Sequence, residues 1–155
     1  VKQVSIIKIE VVCRNYAAGS LVKRYGMEEG KKLNSPIIEY YYKDDALGDP
    51  LFTEAHIREM GLAETADLER INELTYLINE LLSAFFGEKG ILLVDFKLEF
   101  GRDSDGNIIL ADEISPDTCR LWDSETHKKL DKDRFRFDLG EVEDAYWEIY
   151  NRISS

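Results

Sequence analysis

The residues best placed to do chemistry lie between Ile91 and Asp123, in ILLVDFKLEFGRDSDGNIILADEISPDTCRLWD, where Asp95, Lys97 and Glu99 recur at every second position. Side chains of a strand alternate between faces, so these three share one face while Val94, Phe96, Leu98 and Phe100 share the other. Asp105-Gly106-Asn107 is a hairpin signal, and the return strand IILADEIS follows it. A four-residue loop, with Asp103 opposite Ile108, would set Glu99 opposite Asp112. Opposed carboxylates repel unless a cation lies between them. An oxygen-only pair of this kind suits magnesium or calcium, and magnesium typically takes one or two carboxylates plus substrate phosphates. The alternative is a solvated hairpin face, against which stands the position of Asp112 among Ile108, Ile109, Leu110 and Ile114.

A second group is basic. Arg14 ends the alternating run VSIIKIEVVCR, the small residues of NYAAGS follow, and LVKRYG adds Lys23 and Arg24 beside Ser20. Such a cluster can hold a phosphate, with the backbone approaching closely at Ala17, Ala18 and Gly19. A surface turn with scattered basic residues is the competing reading. Arg120, beyond the turn signalled by Pro116 and Asp117, is either a fixed cation for a ligand or one half of a cation–π pair with Trp122. His56 and His127 have no evident partner and receive no role.

These groups need elements to position them. In the first strand Ile7, Ile9, Val11 and Cys13 fall on one face and Ile6, Lys8, Glu10, Val12 and Arg14 on the other. Pro36 to Lys43, PIIEYYYK, is a further strand, whose tyrosines are read as packing residues. The loop after it carries Asp44, Asp45 and Asp49, exposed or at a site rim. Thr53 caps a short helix ending at Gly61. A longer helix from about Ala66 to Phe86 has Leu68, Ile71, Leu74, Leu77, Ile78, Leu81, Leu82 and Phe85 as its apolar stripe, with Glu69, Arg70, Glu73 and Glu80 solvated. An amphipathic helix from about Glu141 to Ile153 closes the chain.

At 155 residues the chain fits a single domain spanning 1–155. A net charge of -11 speaks against a general nucleic-acid binder. Cys13 and Cys119 form neither a metal spacing nor a disulfide framework, which favours a reducing cytoplasmic setting. No apolar run approaches the roughly 20 residues of a membrane span.

Taken in order, RNYAAGSLVKR, LVDFKLEFG, LADEISPDTCRLWD and DKDRFR closely resemble the SAICAR synthetase family, the phosphoribosylaminoimidazole-succinocarboxamide synthases of purine biosynthesis, over essentially the whole chain. The resemblance implies an α+β fold, an antiparallel sheet packed with helices and ATP-grasp-like. It implies an ATP-dependent ligase that joins L-aspartate to the carboxylate of carboxyaminoimidazole ribonucleotide (CAIR) through an acyl phosphate, with magnesium as cofactor and a homodimer as the assembly. The family's metal carboxylates fall on Glu99 and Asp112, its catalytic Asp-x-Lys on Asp95 and Lys97, and its ribonucleotide residues on Arg14, Ser20 and Arg120. Lys23, Arg24 and Asp117 are expected around the aspartate site, while Lys2 and Ile6 lie near the ATP phosphates and the adenine hinge. Nothing matches the family's N-terminal ATP-covering lobe, so the chain reads as the larger C-terminal portion, starting near the hinge, and is expected to bind nucleotide poorly by itself. Two other readings remain open: a small-molecule kinase, since inositol phosphate kinases also place Asp-x-Lys near a metal, and a non-catalytic binding or dimerisation module.

Overall fold

A computed structural model describes residues 5–111 and 118–130. The first alternating run forms β1, Ser5–Tyr16, and Ile7, Ile9, Val11 and Cys13 on one of its faces enter the main core. There follow α1 (Ser20–Tyr25), β2 (Lys32–Tyr42), a two-residue β3 (Leu51–Phe52), α2 (Glu54–Glu59), α3 (Thr65–Glu88), β4 (Ile91–Arg102), β5 (Ile108–Leu110) and β6 (Cys119–Asp123). The strands make one antiparallel sheet in the order β3-β2-β1-β4-β5, with β6 on the first half of β4. Helices α2 and α3 bury Ile57, Leu68, Ile71 and Phe86 in the core with Phe96, Leu98 and Phe100. The expected α+β architecture is therefore present. Among the described residues no helix is long and apolar enough to cross a membrane.

Thr53 caps α2 as expected, and its partner is His56. The Thr53 hydroxyl accepts from the His56 backbone amide at 3.3 Å, and His56 Nδ1 accepts from the Thr53 amide at 3.0 Å. The histidine thus closes a capping box, which gives it a structural task.

The expected stripe of α3 is only partly buried. Its inner side is Leu68, Ile71, Thr75, Asn79 and Phe86, whereas Leu77, Leu81 and Phe85 are 51%, 62% and 42% exposed. Eight apolar residues span a wider arc than one sheet face covers. Two polar residues take buried places because their hydrogen bonds are met: Thr75 Oγ1 donates to the Ile71 carbonyl at 2.7 Å, and Asn79 pairs with Asn15.

At the start of α3, Asp67 accepts two hydrogen bonds from Arg102 of β4, at 2.8 and 2.7 Å. Hydrogen bonding to Arg102 is the main reason its carboxyl is held below the ordinary range. A carboxylate whose folded pKa lies below its unfolded value stabilises the fold above that unfolded value, about 4, and loses the contribution as pH falls. Asp67→Asn should cost about 1 kcal/mol near neutrality and little at pH 3, so that its urea midpoint converges with that of the parent in acid. A constant difference across that range would reject the linkage.

The second half of the sheet departs from expectation in three places. The hairpin register is Arg102↔Ile108, Gly101↔Ile109 and Phe100↔Leu110, which sets Ala111, not Asp112, against Glu99, and the Ala111 amide donates to the Glu99 carbonyl at 2.9 Å. Asp103 accounts for the slip. Its Oδ1 accepts from the amides of Asp105 and Asn107 at 3.0 and 2.9 Å, so it belongs to the turn and lengthens it by one residue. Next, the β4–β6 register shifts between Leu93 and Asp95. This bulge removes Val94 from the face of Phe96, Leu98 and Phe100 and packs it with Ala18 and Trp122. Finally, Cys119–Asp123, for which the sequence raises no strand expectation, is β6. Five residues without strict alternation carry too little local signal, and pairing with β4 makes them a strand.

Candidate functional site

Pairing across the sheet assembles three rows of side chains. Arg14 of β1 lies opposite Asp95 of β4, which lies opposite Arg120 of β6. In the next row Val12 stands between Glu39 and Lys97, and in the third Glu10 stands between Tyr41 and Glu99. Directly opposed residues share a face, and because the other face of β1 enters the core, all these groups are on the side away from it. The alternation that buries β1 on one side therefore gathers the charges on the other.

Arg14 is the hub. Its Nε donates to Glu39 Oε1 at 2.6 Å, Nη1 to Asp95 Oδ2 at 3.1 Å and Nη2 to the Tyr41 hydroxyl at 3.4 Å. Arg120 Nη1 donates to the same Asp95 oxygen at 2.8 Å. Arg14, Glu39 and Asp95 are 5%, 8% and 6% exposed, so the cluster is held together out of bulk water, where an unpaired charge would be costly. Burial acts to lower the Arg14 pKa, but the hydrogen bond it donates to Glu39 and the charges of Glu39 and Asp95 outweigh it. The guanidinium stays cationic. Tyr41 extends the network: its hydroxyl donates to Glu39 at 3.1 Å and accepts from Arg24 at 3.0 Å, and the Arg24 guanidinium stands 5.4 Å above its ring. Cys13, beside this row, has its thiol pushed up to about 12 by burial and then by Asp95, and is no nucleophile at neutral pH.

The loop Ala17-Ala18-Gly19 closes against this hub. Gly19 has φ +55, and a Cβ there would lie 2.8 Å from Arg120 Nη1, so the backbone approaches the arginine as closely as a glycine allows. Gly19→Ala should cost about 1–3 kcal/mol through this positive-φ backbone alone and should displace Arg120 from Asp95. An alanine variant with an unchanged unfolding midpoint and an unmoved Arg120 would refute this. Ser20, next in the chain, opens α1 and is half-buried. Arg14, Ser20, Arg24, Asp95 and Arg120, singled out from three separated stretches, are thus neighbours. Lys23 is exposed on α1, and none of the cluster's ion pairs includes it. Ile6 is half-exposed at the start of β1, opposite Gly101. Lys2, Asp112, Asp117 and the closing helix from Glu141 lie outside the described residues.

In the third row, Glu10 and Glu99 are opposed carboxylates and each is neutralised by a lysine. Lys97 Nζ lies 3.3 Å from Glu10 Oε1, and Lys43 Nζ lies 2.7 Å from Glu99 Oε1. Among the described residues no three His, Cys, Asp or Glu side chains converge as a metal cage. The oxygen-only donors and flanking lysines suit a magnesium ion that takes most of its ligands from a polyphosphate. Glu10, Glu39, Tyr41 and Lys43 were not singled out by sequence reasoning. The available signal was the alternation of Glu39 and Tyr41 along β2, continued by Lys43 just past its end, which gives one polar face to a strand rich in aromatics.

A cleft of about 610 Å³ lies elsewhere, at the start of α3, lined by Arg58, Gly61, Glu64, Asp67 and Arg102. Its Arg102 and Asp67 satisfy one another, whereas Lys97, Lys43, Glu10 and Glu99 stand partly exposed beside the buried arginine hub. Arg120 does not stack on Trp122 as a cation–π pair: Trp122 lies against His127, with ring centroids 5.6 Å apart.

A family model of SAICAR synthetase matches residues 1–153. The phosphoribosylaminoimidazole-succinocarboxamide synthases of Brevibacillus brevis and Chloroherpeton thalassium are 58% and 60% identical over 153 and 152 residues, covering 99% and 98% of this chain. The chain spans 64% of the length of each. The crystal structure of the Ehrlichia chaffeensis synthase superposes with a TM-score of 0.95 at 50% identity, covering 99% of this chain and 66% of that one. A SAICAR synthetase in complex with ADP superposes at 0.94, also at 50% identity, covering 99% of this chain and 65% of its own. The two arginines paired on Asp95, the glycine loop closed against them, and Lys97 and Glu99 on the same sheet face thus occur on a fold and sequence shared along nearly the entire chain: it belongs to the SAICAR synthetase family.

Proposed function

We propose that the protein containing this chain is an ATP-dependent ligase that joins L-aspartate to the carboxylate of CAIR, forming SAICAR, ADP and phosphate in purine biosynthesis. The observation that carries this reading is the convergence of Arg14 and Arg120 on Asp95 beside the Ala17–Gly19 loop, on the same sheet face as Lys97 and Glu99. Two fixed guanidiniums and a close backbone suit the phosphate and carboxylate of a ribonucleotide. The neighbouring carboxylates and lysines suit a nucleotide polyphosphate. Family membership supports the same assignment, and so does the relative solved with ADP.

Arg14, Ser20 and Arg120 hold the ribonucleotide, and Asp95 fixes the two arginines between substrate contacts. Lys97 lies toward the transferred phosphoryl group and offsets charge there. Glu99 and Asp112 hold magnesium, which when bound neutralises charge on the nucleotide phosphates. A CAIR carboxylate oxygen attacks the γ-phosphorus and ADP departs, leaving an acyl phosphate. The aspartate amine then attacks that carbonyl, phosphate leaves, and the amine gives up its proton. Lys23, Arg24 and Asp117 serve the aspartate side, and Lys2 and Ile6 the nucleotide. The region 1–155 is one domain, the larger C-terminal portion of a cytoplasmic homodimer.

The test is an assay of a protein carrying this sequence at the full length of its relatives, with ATP, magnesium, CAIR and aspartate. ADP release that requires aspartate and yields SAICAR is expected. Aspartate-independent phosphorylation would replace the ligase by a kinase, and binding of CAIR without turnover would leave a binding module.

A further inference from the structure

Two irregularities of the sheet meet at the level of the Arg14–Asp95 pair. The β1–β2 register shifts between Arg14 and Tyr16, and the β4–β6 register shifts between Leu93 and Asp95. Arg14↔Asp95 is also the last pair of the β1–β4 ladder. The two charged anchors therefore project from backbone that the ladders hold less completely than elsewhere.

What holds this backbone from behind is an amide pair. Asn15 is adjacent to Arg14 but points to the opposite, helix-covered side. Its Nδ2 donates to Asn79 Oδ1 at 2.7 Å and to the Leu93 carbonyl at 3.1 Å, and its Oδ1 accepts from Asn79 Nδ2 at 2.9 Å. Leu93 immediately precedes the bulged Val94. One side chain thus ties the residue after Arg14 to the residue before the bulge that re-aims Asp95, and α3 supplies the clamp. Asn79 is 7% exposed on the core side of its helix, where an apolar residue would satisfy packing alone and an amide is tolerated only when bonded. Its other hydrogen bond is a long one from Ser83 Oγ, at 3.4 Å.

We propose that Asn79, on the far side of the sheet from the substrate, is a positioning residue for the Arg14–Asp95–Arg120 site, acting through Asn15 and the Leu93 carbonyl. It touches no substrate. It fixes the spacing at which the two arginines meet a ribonucleotide, and a small misplacement of such anchors is expensive in rate. The inference rests on the ligase reading for its kinetic form, though not for its structural form.

The test compares Asn79→Leu, which keeps size and removes both amide bonds, Asn79→Asp, which keeps the acceptor for Asn15 Nδ2, and Ile78→Ala, a packing control one residue away. Each is made in the full-length protein. Asn79→Leu should lower kcat/KM for CAIR by about 10–100-fold, mostly through KM, and Asn79→Asp should recover part of that loss. Ile78→Ala should lower the melting temperature comparably and leave KM within about twofold of the parent. If Asn79→Leu melts like the control and keeps its KM, the residue is structural only and the proposal is wrong. Should Asn79→Leu fail to fold, Asn79→Asp with an unaltered KM overturns it. Should the parent protein not turn over at all, the ligase reading fails separately. The positioning claim is then read from crystal structures, where an Asn79→Leu variant retaining the 3.1 Å Arg14–Asp95 contact overturns it.

Discussion

Arg14→Met should destabilise the full-length protein by about 3–5 kcal/mol, the range for removing one partner of a buried ion pair, and should abolish ligation to within the sensitivity of the assay. The substitution keeps much of the side-chain volume, so packing is a small part of the loss. What changes is that Glu39 loses its 2.6 Å guanidinium partner and that, of the two arginines, Asp95 keeps only Arg120. Both carboxylates are nearly buried. The direction of the Arg14 shift agrees, since the folded protein holds its proton more tightly than water does. The double variant Arg14→Met, Glu39→Leu separates stability from function. With both members of the closest pair made apolar, much of the stability should return, because exchanging a buried ion pair for packed apolar side chains is often neutral. Activity should not return if, as proposed, ligation needs the Arg14 guanidinium, which is still missing. Arg14→Lys should fold but lose about 10–100-fold in kcat/KM, as a single ammonium cannot replicate three directed donors. Equal urea midpoints for Arg14→Met and the parent would contradict the whole account of the hub.

The parts of this site that were legible in the sequence are those governed by local rules. Period-two alternation alone puts Arg14 opposite in facing to Ile9 and Val11, and it puts Lys97 and Glu99 on one side of β4. The Thr53 cap, with its neighbouring apolar Ile57, marks α2 for the same reason. Register is a longer-range quantity. The pairing of Glu99 depended on whether Asp103 belonged to the strand or the turn, and its side chain bonds two turn amides, a choice that composition leaves open. The bulge at Val94 is less legible still, since nothing in LLVDF distinguishes a continuous alternation from one that skips a residue. Yet that skip, together with β6, brings Arg120 to Asp95. Glu39 escaped notice because a carboxylate among tyrosines reads as an exposed edge, and only the register of β2 on β1 shows that it faces a buried arginine. Asn79 is the extreme case. Its sequence position marks the core side of a helix, and only the partner across the fold explains an amide there.

Glu99→Gln should reduce turnover by about 10²–10³-fold and raise the magnesium concentration needed for half-maximal rate by about 10–100-fold. The residue lies in a row where like charges would otherwise repel: Glu10 is directly opposite, and the two are compatible because Lys97 and Lys43 each neutralise one of them. A divalent ion arriving with a nucleotide would relieve the same repulsion, and the 2.7 Å Lys43–Glu99 contact would have to loosen as it did so. The glutamine variant removes the charge while keeping the shape, so the sheet should remain intact and the melting temperature should rise or fall by little, since Glu99 is partly exposed and its ion pair contributes modestly. Glu10→Gln distinguishes ligation from charge balance. If the row merely balances charge, both variants should behave alike. If Glu99 is the ligand, Glu10→Gln should keep the parent's magnesium requirement, because the carboxylate nearer Lys97 has only been made neutral. A Glu99→Gln protein with the parent's rate and magnesium curve would remove Glu99 from the metal site and leave Asp112 to be tested alone.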